Sequence, residues 1–105
     1  MTFSVYQYVR MCGILLTTSN ATLYTVPALT QAMVKDINVC NPTGAAALFQ
    51  IQMPGGQPIF QNTSIPPFTT IHWTGLITLA AGETISGMAS VATTVYVIIS
   101  GQTGV

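Results

Sequence analysis

Apolar and polar residues alternate with a period of two along most of this chain, and the alternating runs are separated by clusters of Gly, Pro and Asn. The clearest run is 48–53, where Phe49, Ile51 and Met53 alternate with Gln50 and Gln52, giving a strand one buried and one polar face. Two earlier strands are predicted over 13–18 and 22–26 around a Ser19-Asn20 turn; Pro27 closes the second because it has no N–H to give a ladder. Residues 32–40 carry Val34, Ile37 and Val39, so the alternation changes phase once, at Lys35-Asp36, and a β-bulge there accounts for the shift. Asn41-Pro42-Thr43-Gly44 has turn chemistry, and Pro54-Gly55-Gly56 ends the strand that follows. Beyond it the pattern predicts a short edge strand over 58–60, a loop over 62–67 in which Pro66-Pro67 is a stiff, cis-capable link, and a Thr-rich strand ending at Gly75. Residues 76–79 and 84–90 read as strand, turn and strand about Ala81-Gly82-Glu83. Residues 93–100 make the last strand, with Val95, Val97 and Ile99 on one face and Tyr96 and Ile98 on the other.

Seven to nine short strands at this spacing predict an all-β domain, an antiparallel β-sandwich or jelly roll. A length of 105 residues supports one domain, assigned to 13–105. Residues 1–12 have no clean period and are assigned to an extended N-terminal arm used in assembly. Sixteen threonines and many branched and aromatic residues agree with strands, and the chain has too few charges to lace an exposed helix.

Charge changes the picture. Only Arg10, Lys35, Asp36 and Glu83 are charged, 4% of the chain where soluble domains carry about 25%. With zero net charge the chain has no basic stripe for nucleic acid and no polybasic face for a membrane surface, so neither partner is expected. A hydrophobic content of 50% excludes a disordered chain. No apolar run reaches the roughly 18 residues of a spanning helix, and Arg10 follows Tyr6 and Tyr8 in an order unlike a secretion signal. A surface this poor in charge is poorly soluble alone, which implies burial against copies or partners.

The inventory for chemistry is short. His72 is the sole imidazole, and Asp36 and Glu83 are the sole carboxylates, so the expectation is a protein that is not an enzyme and needs no metal or other cofactor. Cys12 and Cys40 are expected as free thiols. Lys35-Asp36 is read as solvating an exposed edge, and Glu83 as standing at a hairpin tip. Phe60 and Phe68 are assigned to the core and Tyr6 and Tyr8 to a subunit contact.

Two segments carry a family resemblance: Leu16-Thr17-Thr18-Ser19-Asn20-Ala21-Thr22-Leu23-Tyr24-Thr25-Val26-Pro27-Ala28, and Val34-Lys35-Asp36-Ile37-Asn38-Val39-Cys40-Asn41. Thr70-Ile71-His72-Trp73-Thr74-Gly75 leading to Leu79-Ala80-Ala81-Gly82-Glu83-Thr84-Ile85-Ser86 adds to it. Over roughly residues 14–101 the chain resembles small β-sandwich virion proteins of tailed bacteriophages. The resemblance implies a structural virion component, assembled in the bacterial host cytoplasm. Its first form is a capsid cement or decoration protein that buries apolar and strand-edge surface between capsomers. It would act as a homo-oligomer, most simply a trimer, on the major capsid protein. Phe3, Tyr6, Tyr8, Val9, Tyr96 and Ile98 are the candidate contacts for that role. The alternative is a tail-fibre or baseplate module contacting host-surface glycan through Gln61, Asn62, His72 and Trp73.

Overall fold

Side chains on a pleated strand point alternately to its two faces, so a run such as Val34, Ile37 and Val39 buries itself only if another sheet covers it. In the computed structural model, which describes residues 6–91 and 94–104, two sheets cover each other in this way. The strands are β1 (Tyr6–Leu15), β2 (Ala21–Thr25), β3 (Gln31–Asn41) and β4 (Ala47–Met53), followed by β5 (Gln57–Ile65), β6 (Thr69–Leu79), β7 (Thr84–Ala89) and β8 (Tyr96–Gly104). One sheet runs β1-β8-β3-β6 and the other β2-β7-β4-β5, antiparallel throughout.

Each of the first four strands pairs with one of the last four: β1 with β8, β2 with β7, β3 with β6 and β4 with β5. This is one long hairpin, bent at Pro54–Gly56 and rolled up so that β3 also meets β8 and β4 also meets β7. The all-β sandwich expected from the alternation is therefore present, and its strand order is that of a jelly roll. The core lies between the sheets. Val34, Ile37, Val39, Val97 and Ile99 of the first sheet face Phe49, Ile51, Ile65 and Ile85 of the second, all 0 to 2% exposed. Burying each such side chain contributes about 1.5 to 3 kcal/mol.

Bulges correct several expectations. Residues 6–12 belong to β1, hydrogen-bonded to β8, so the boundary at residue 12 is not a structural one; Phe3 lies outside the described residues. Residues 62–65 belong to β5, where Gln61 and Asn62 stand against the single Gln50 between the Phe49–Thr63 and Ile51–Phe60 pairs. Asn62 takes φ 44°, a left-handed conformation that Asn tolerates. The strand over 68–75 does not end at Gly75; Gly75 and Leu76 bulge inside β6, opposite the extra Lys35 of β3. Lys35-Asp36 lies on a strand between β8 and β6, not on an edge. All described peptide bonds are trans, those at Pro66 and Pro67 included.

Every edge strand is interrupted. Register shifts break β1 at Arg10/Cys12, β2 at Thr22/Tyr24, β5 opposite Phe49/Ile51 and β6 opposite Val34/Asp36. Interrupted edges are poor templates for pairing with another chain, which directs attention to the faces and ends of the sandwich rather than to its edges.

Candidate functional site

Two bulges flank one point of β8. On one side the register shifts between Arg10, opposite Ser100, and Cys12, opposite Ile99. On the other it shifts between Val34, opposite Gly101, and Asp36, opposite Ser100. The β3 bulge crowds the Met33 carbonyl against Gly101, and only a residue without Cβ fits there. Together the bulges make a groove of about 350 Å³ on the outer face of the first sheet, lined by Tyr8, Val9, Arg10, Lys35, Asp36, Ser100 and Gly101. The Lys35 ammonium stands 5.9 Å from the centroid of the Tyr8 ring, a cation–π distance. Three of the chain's four charged residues thus meet in one depression. The set holds cations, a carboxylate and an aromatic ring, a combination suited to recognition rather than to bond making.

The second surface is the sandwich end that carries the β1–β2, β3–β4, β5–β6 and β7–β8 loops. The ends of β1 and β8 meet there through Leu15 and Tyr96, the β1–β2 loop is tied to β7 by Ala89 N–H donating to Thr17 O (2.9 Å), and Ser90 N–H donates to Leu48 O (2.8 Å). Of the nine exposed large hydrophobics among the described residues, six lie at this end: Ile14, Leu15, Leu48, Phe68, Val91 and Tyr96. Pro42, Ala45, Ala46, Pro66 and Pro67 are exposed beside them, and the loops of this end hold no charged residue; the nearest charge is Arg10, whose side chain reaches over Gly13 beside the Tyr96 hydroxyl. Phe68, expected in the core, is instead 77% exposed: its backbone takes φ 53°, its N–H donates to Thr43 O (3.2 Å), and its ring lies over Gly44. Phe60 does join the core, its ring centroid 5.1 Å from that of Phe49.

Of the contact residues expected from sequence, Tyr8, Tyr96 and Ile98 share the outer face of the first sheet, opposite Gln102, Leu15 and Gly13 of the neighbouring strand. Val9 faces inward and packs on the core. Tyr6 is in β1. The four glycan candidates are not gathered. His72 is exposed on the outer face opposite Asn38, whereas Trp73 points inward opposite Ile37 and lies across Gly75. Gln61 and Asn62 protrude from the bulge of β5 in the other sheet. Arg10, Lys35 and Asp36 were not read as a site from sequence; the phase change at Lys35-Asp36 was the one signal that marked them.

Cys12 and Cys40 are free thiols on opposite faces of the first sheet, Cys12 opposite inward Ile99 and Cys40 opposite outward Tyr96. Burial pushes the Cys12 thiol up from its ordinary value, only partly countered by the backbone hydrogen bond at Ile99. No group of three His, Cys, Asp or Glu among the described residues is placed to hold a metal ion. A cavity of about 460 Å³ opens between the sheets beside Gln7, Val9, Tyr24, Pro27 and Thr103, and it holds one perturbed group. Burial raises the Tyr24 phenol above its ordinary value. The fold therefore favours neutral Tyr24, so its contribution is complete below about pH 10 and is lost as the pH rises past that. Urea midpoints measured between pH 9 and 11.5 should fall more steeply for the native chain than for Tyr24→Phe.

No protein-family model matches the sequence, and no curated protein matches it.

Proposed function

We propose that this chain is a non-enzymatic structural subunit of a tailed-bacteriophage virion, a capsid cement or decoration protein that binds the shell through its apolar loop end. The single observation that carries the reading is the gathering of Ile14, Leu15, Leu48, Phe68, Val91 and Tyr96 at one end of a jelly roll, an end whose loops hold no charged residue. Exposed apolar surface concentrated in one place on a small domain is a docking surface. Four loops converge there on the sandwich, which presents the contact from a packed scaffold. Attachment to the major capsid protein at this end buries the surface that makes the free chain poorly soluble, and it adds buried area across the joints between capsomers. The jelly roll itself supports the reading only as a fold shared by capsid and lectin domains.

Phe68 separates docking from stability. A left-handed backbone strains a β-unbranched aromatic by about 1 kcal/mol, which glycine relieves. Phe68→Gly should therefore melt at the same temperature as the native chain or a few degrees higher, about 4 °C or more per kcal/mol gained. Its occupancy on shells assembled without this chain should drop at least about tenfold, as expected for loss of a buried aromatic anchor. Occupancy on capsids counted by cryo-electron microscopy, unchanged for Phe68→Gly combined with Leu48→Asp, would overturn the assignment. So would density confined to the tail.

A further inference from the structure

Inward positions of a sandwich strand are apolar wherever the other sheet covers them, so a polar residue at such a position calls for a reason. Asn41 has one in the backbone groups it binds. Gln7 and Thr103 have a different one. Inward positions of β8 run Val97, Ile99, Gly101 and Thr103, and those of β1 run back from Val9 to Gln7, which pairs with Thr103. Both polar residues face a gap. On its other side Tyr24 of β2 packs on the core, followed by Pro27 and Thr30 in the β2–β3 connection. Strands β1 and β2 share the loop 16–20 but belong to different sheets, so no hydrogen-bonded ladder closes the space between them. The cavity left there, about 460 Å³, is within the roughly 300 to 1,000 Å³ of small-molecule sites.

The lining selects a ligand by its chemistry. Val9, Pro27 and the Tyr24 ring supply apolar surface. The polar groups are one amide and three hydroxyls, on Gln7, Tyr24, Thr30 and Thr103, and burial keeps the Tyr24 phenol neutral. Such groups both donate and accept, except that the Thr30 hydroxyl already donates to Ala28 O (3.2 Å) and keeps only its lone pairs. Arg10 borders the cavity too, but its side chain is laid along the outer face of the sheet. Its Cδ and Nε stand 3.6 and 3.7 Å from the place a Cβ on Gly13 would take. Among the described residues no carboxylate lines the space. An ionic ligand would therefore give up its hydration without meeting an opposite charge inside, and an aliphatic one would leave the amide and hydroxyls dry. A neutral sugar meets both demands. Its hydroxyls donate and accept as these side chains do, and the C–H face of its ring lies against an aromatic or proline face.

We infer that the cavity between β1 and β2 is a binding site for a neutral saccharide, held by Gln7, Tyr24, Thr30 and Thr103. The site goes beyond the capsid reading and does not depend on it. Cavity and apolar loop end lie at opposite ends of the β1–β8 pair, Gln7 with Thr103 at one and Leu15 with Tyr96 at the other. A chain seated through its loops leaves the cavity open.

Residues 1–5 precede the strand that walls the cavity and lie outside the described residues, so the full chain is used for the test. Its amide and methyl resonances are followed by nuclear magnetic resonance during titration with D-glucose, D-galactose, D-mannose, L-rhamnose and N-acetyl-D-glucosamine. Glucuronate and octanoate serve as the charged and aliphatic probes. At least one neutral sugar should bind with a Kd of about 10 mM or below and shift Gln7, Val9, Tyr24 and Thr103 most. Gln7→Leu and Thr103→Val nearly keep side-chain volume, and each should weaken that sugar at least about tenfold, the effect of one lost hydrogen bond. Arg10→Gln should leave its affinity unchanged. Should Gln7→Leu or Thr103→Val misfold, Tyr24→Phe removes a hydroxyl with the ring kept and must show the same loss. Failure of every neutral sugar to bind overturns the inference, as do shifts confined to another surface or an affinity that folded variants leave intact. Tighter binding of octanoate, or of glucuronate in a manner lost with Arg10→Gln, overturns it equally.

Discussion

Replacing Gly101 by alanine should destabilise the protein by about 3 kcal/mol or more, toward the upper end of what overpacking a core costs. A Cβ at this position would overlap the Met33 carbonyl oxygen, lie 2.9 Å from the carbonyl carbon and come within 3.1 Å of the Met11 side chain. Neither obstacle moves freely. The Met33 carbonyl is held by the β3 bulge between two hydrogen-bonded neighbours, and Met11 is the extra residue of the β1 bulge, 8% exposed. The Ala variant must displace the Met33 carbonyl and with it the β3 bulge, which shapes the charged groove. Thermal melting should register a fall of about 12 °C or more. Gly82→Ala is the control. Its φ of 84° carries a backbone penalty of about 1 kcal/mol, but nothing lies within 4 Å of the added methyl. Equal losses for the two variants would mean that the close approach at Gly101 is not what requires glycine.

The second large effect is expected at Asn41, the one fully buried polar side chain among the described residues. Its Nδ2 donates to the carbonyls of Ala45 (2.7 Å), Ile65 (3.2 Å) and Pro66 (3.3 Å). Its Oδ1 accepts from the Thr43 N–H (3.0 Å) and the Thr43 hydroxyl (2.6 Å). One amide therefore closes the β3–β4 turn and ties the end of β3 to the end of β5 in the opposite sheet. Asn41→Ala leaves several of these groups without partners inside the sandwich, and the loss should be about 3 kcal/mol in a urea titration. Asn41→Asp goes further. It turns a donor into an anion facing three carbonyl oxygens, so burial raises the carboxyl's pKa in the fold. A raised folded pKa means stability that is present at low pH and lost as the pH rises through the unfolded value of about 4. Asn41→Asp should therefore be less stable than Asn41→Ala at pH 7 and approach it near pH 3.5. A pH-independent gap between the two would remove the amide donor from this role.

What was legible in the sequence and what was not divide along a physical line. Where one strand keeps strict alternation, as in β4 with Phe49, Ile51 and Met53 or β8 with Val97 and Ile99, period and burial coincide. The misread strand boundaries fall at bulges: around Met11 in β1, Gln61 and Asn62 in β5, Gly75 and Leu76 in β6. An insertion resets the phase, and a short window on either side no longer resembles a strand. At Lys35 the phase change was visible, but its meaning was not, because a bulge matters through the strands beside it and these come from residues 69–79 and 96–104. The loop end was hidden for a similar reason. Phe68 looks like a core residue until its left-handed backbone turns it outward, and its neighbours Leu48 and Val91 lie twenty or more residues away. The split between His72 and Trp73 was implicit in their adjacency on a strand, which places them on opposite faces.

The position of β8 bears on how the chain is made. It follows the other seven described strands in chain order, yet it lies inside the first sheet, between β1 and β3. Until residues 96–104 have emerged, β1 has no hydrogen-bonded neighbour, and Val9, Met11, Val34 and Ile37 have only part of their cover. Domains generally fold as units during synthesis, and this one can complete its first sheet only once residues 96–104 have emerged. Closing β1 onto β8 spans nearly the whole chain, which makes folding slow compared with local pairings. Nascent copies on one messenger are therefore exposed to each other until β8 has emerged, and uninterrupted edge strands would let them pair. The interruptions in β1, β2, β5 and β6 protect the unfinished chain as much as the finished one. A ribosome stopped anywhere before residue 96 yields an open half-sheet rather than a smaller domain.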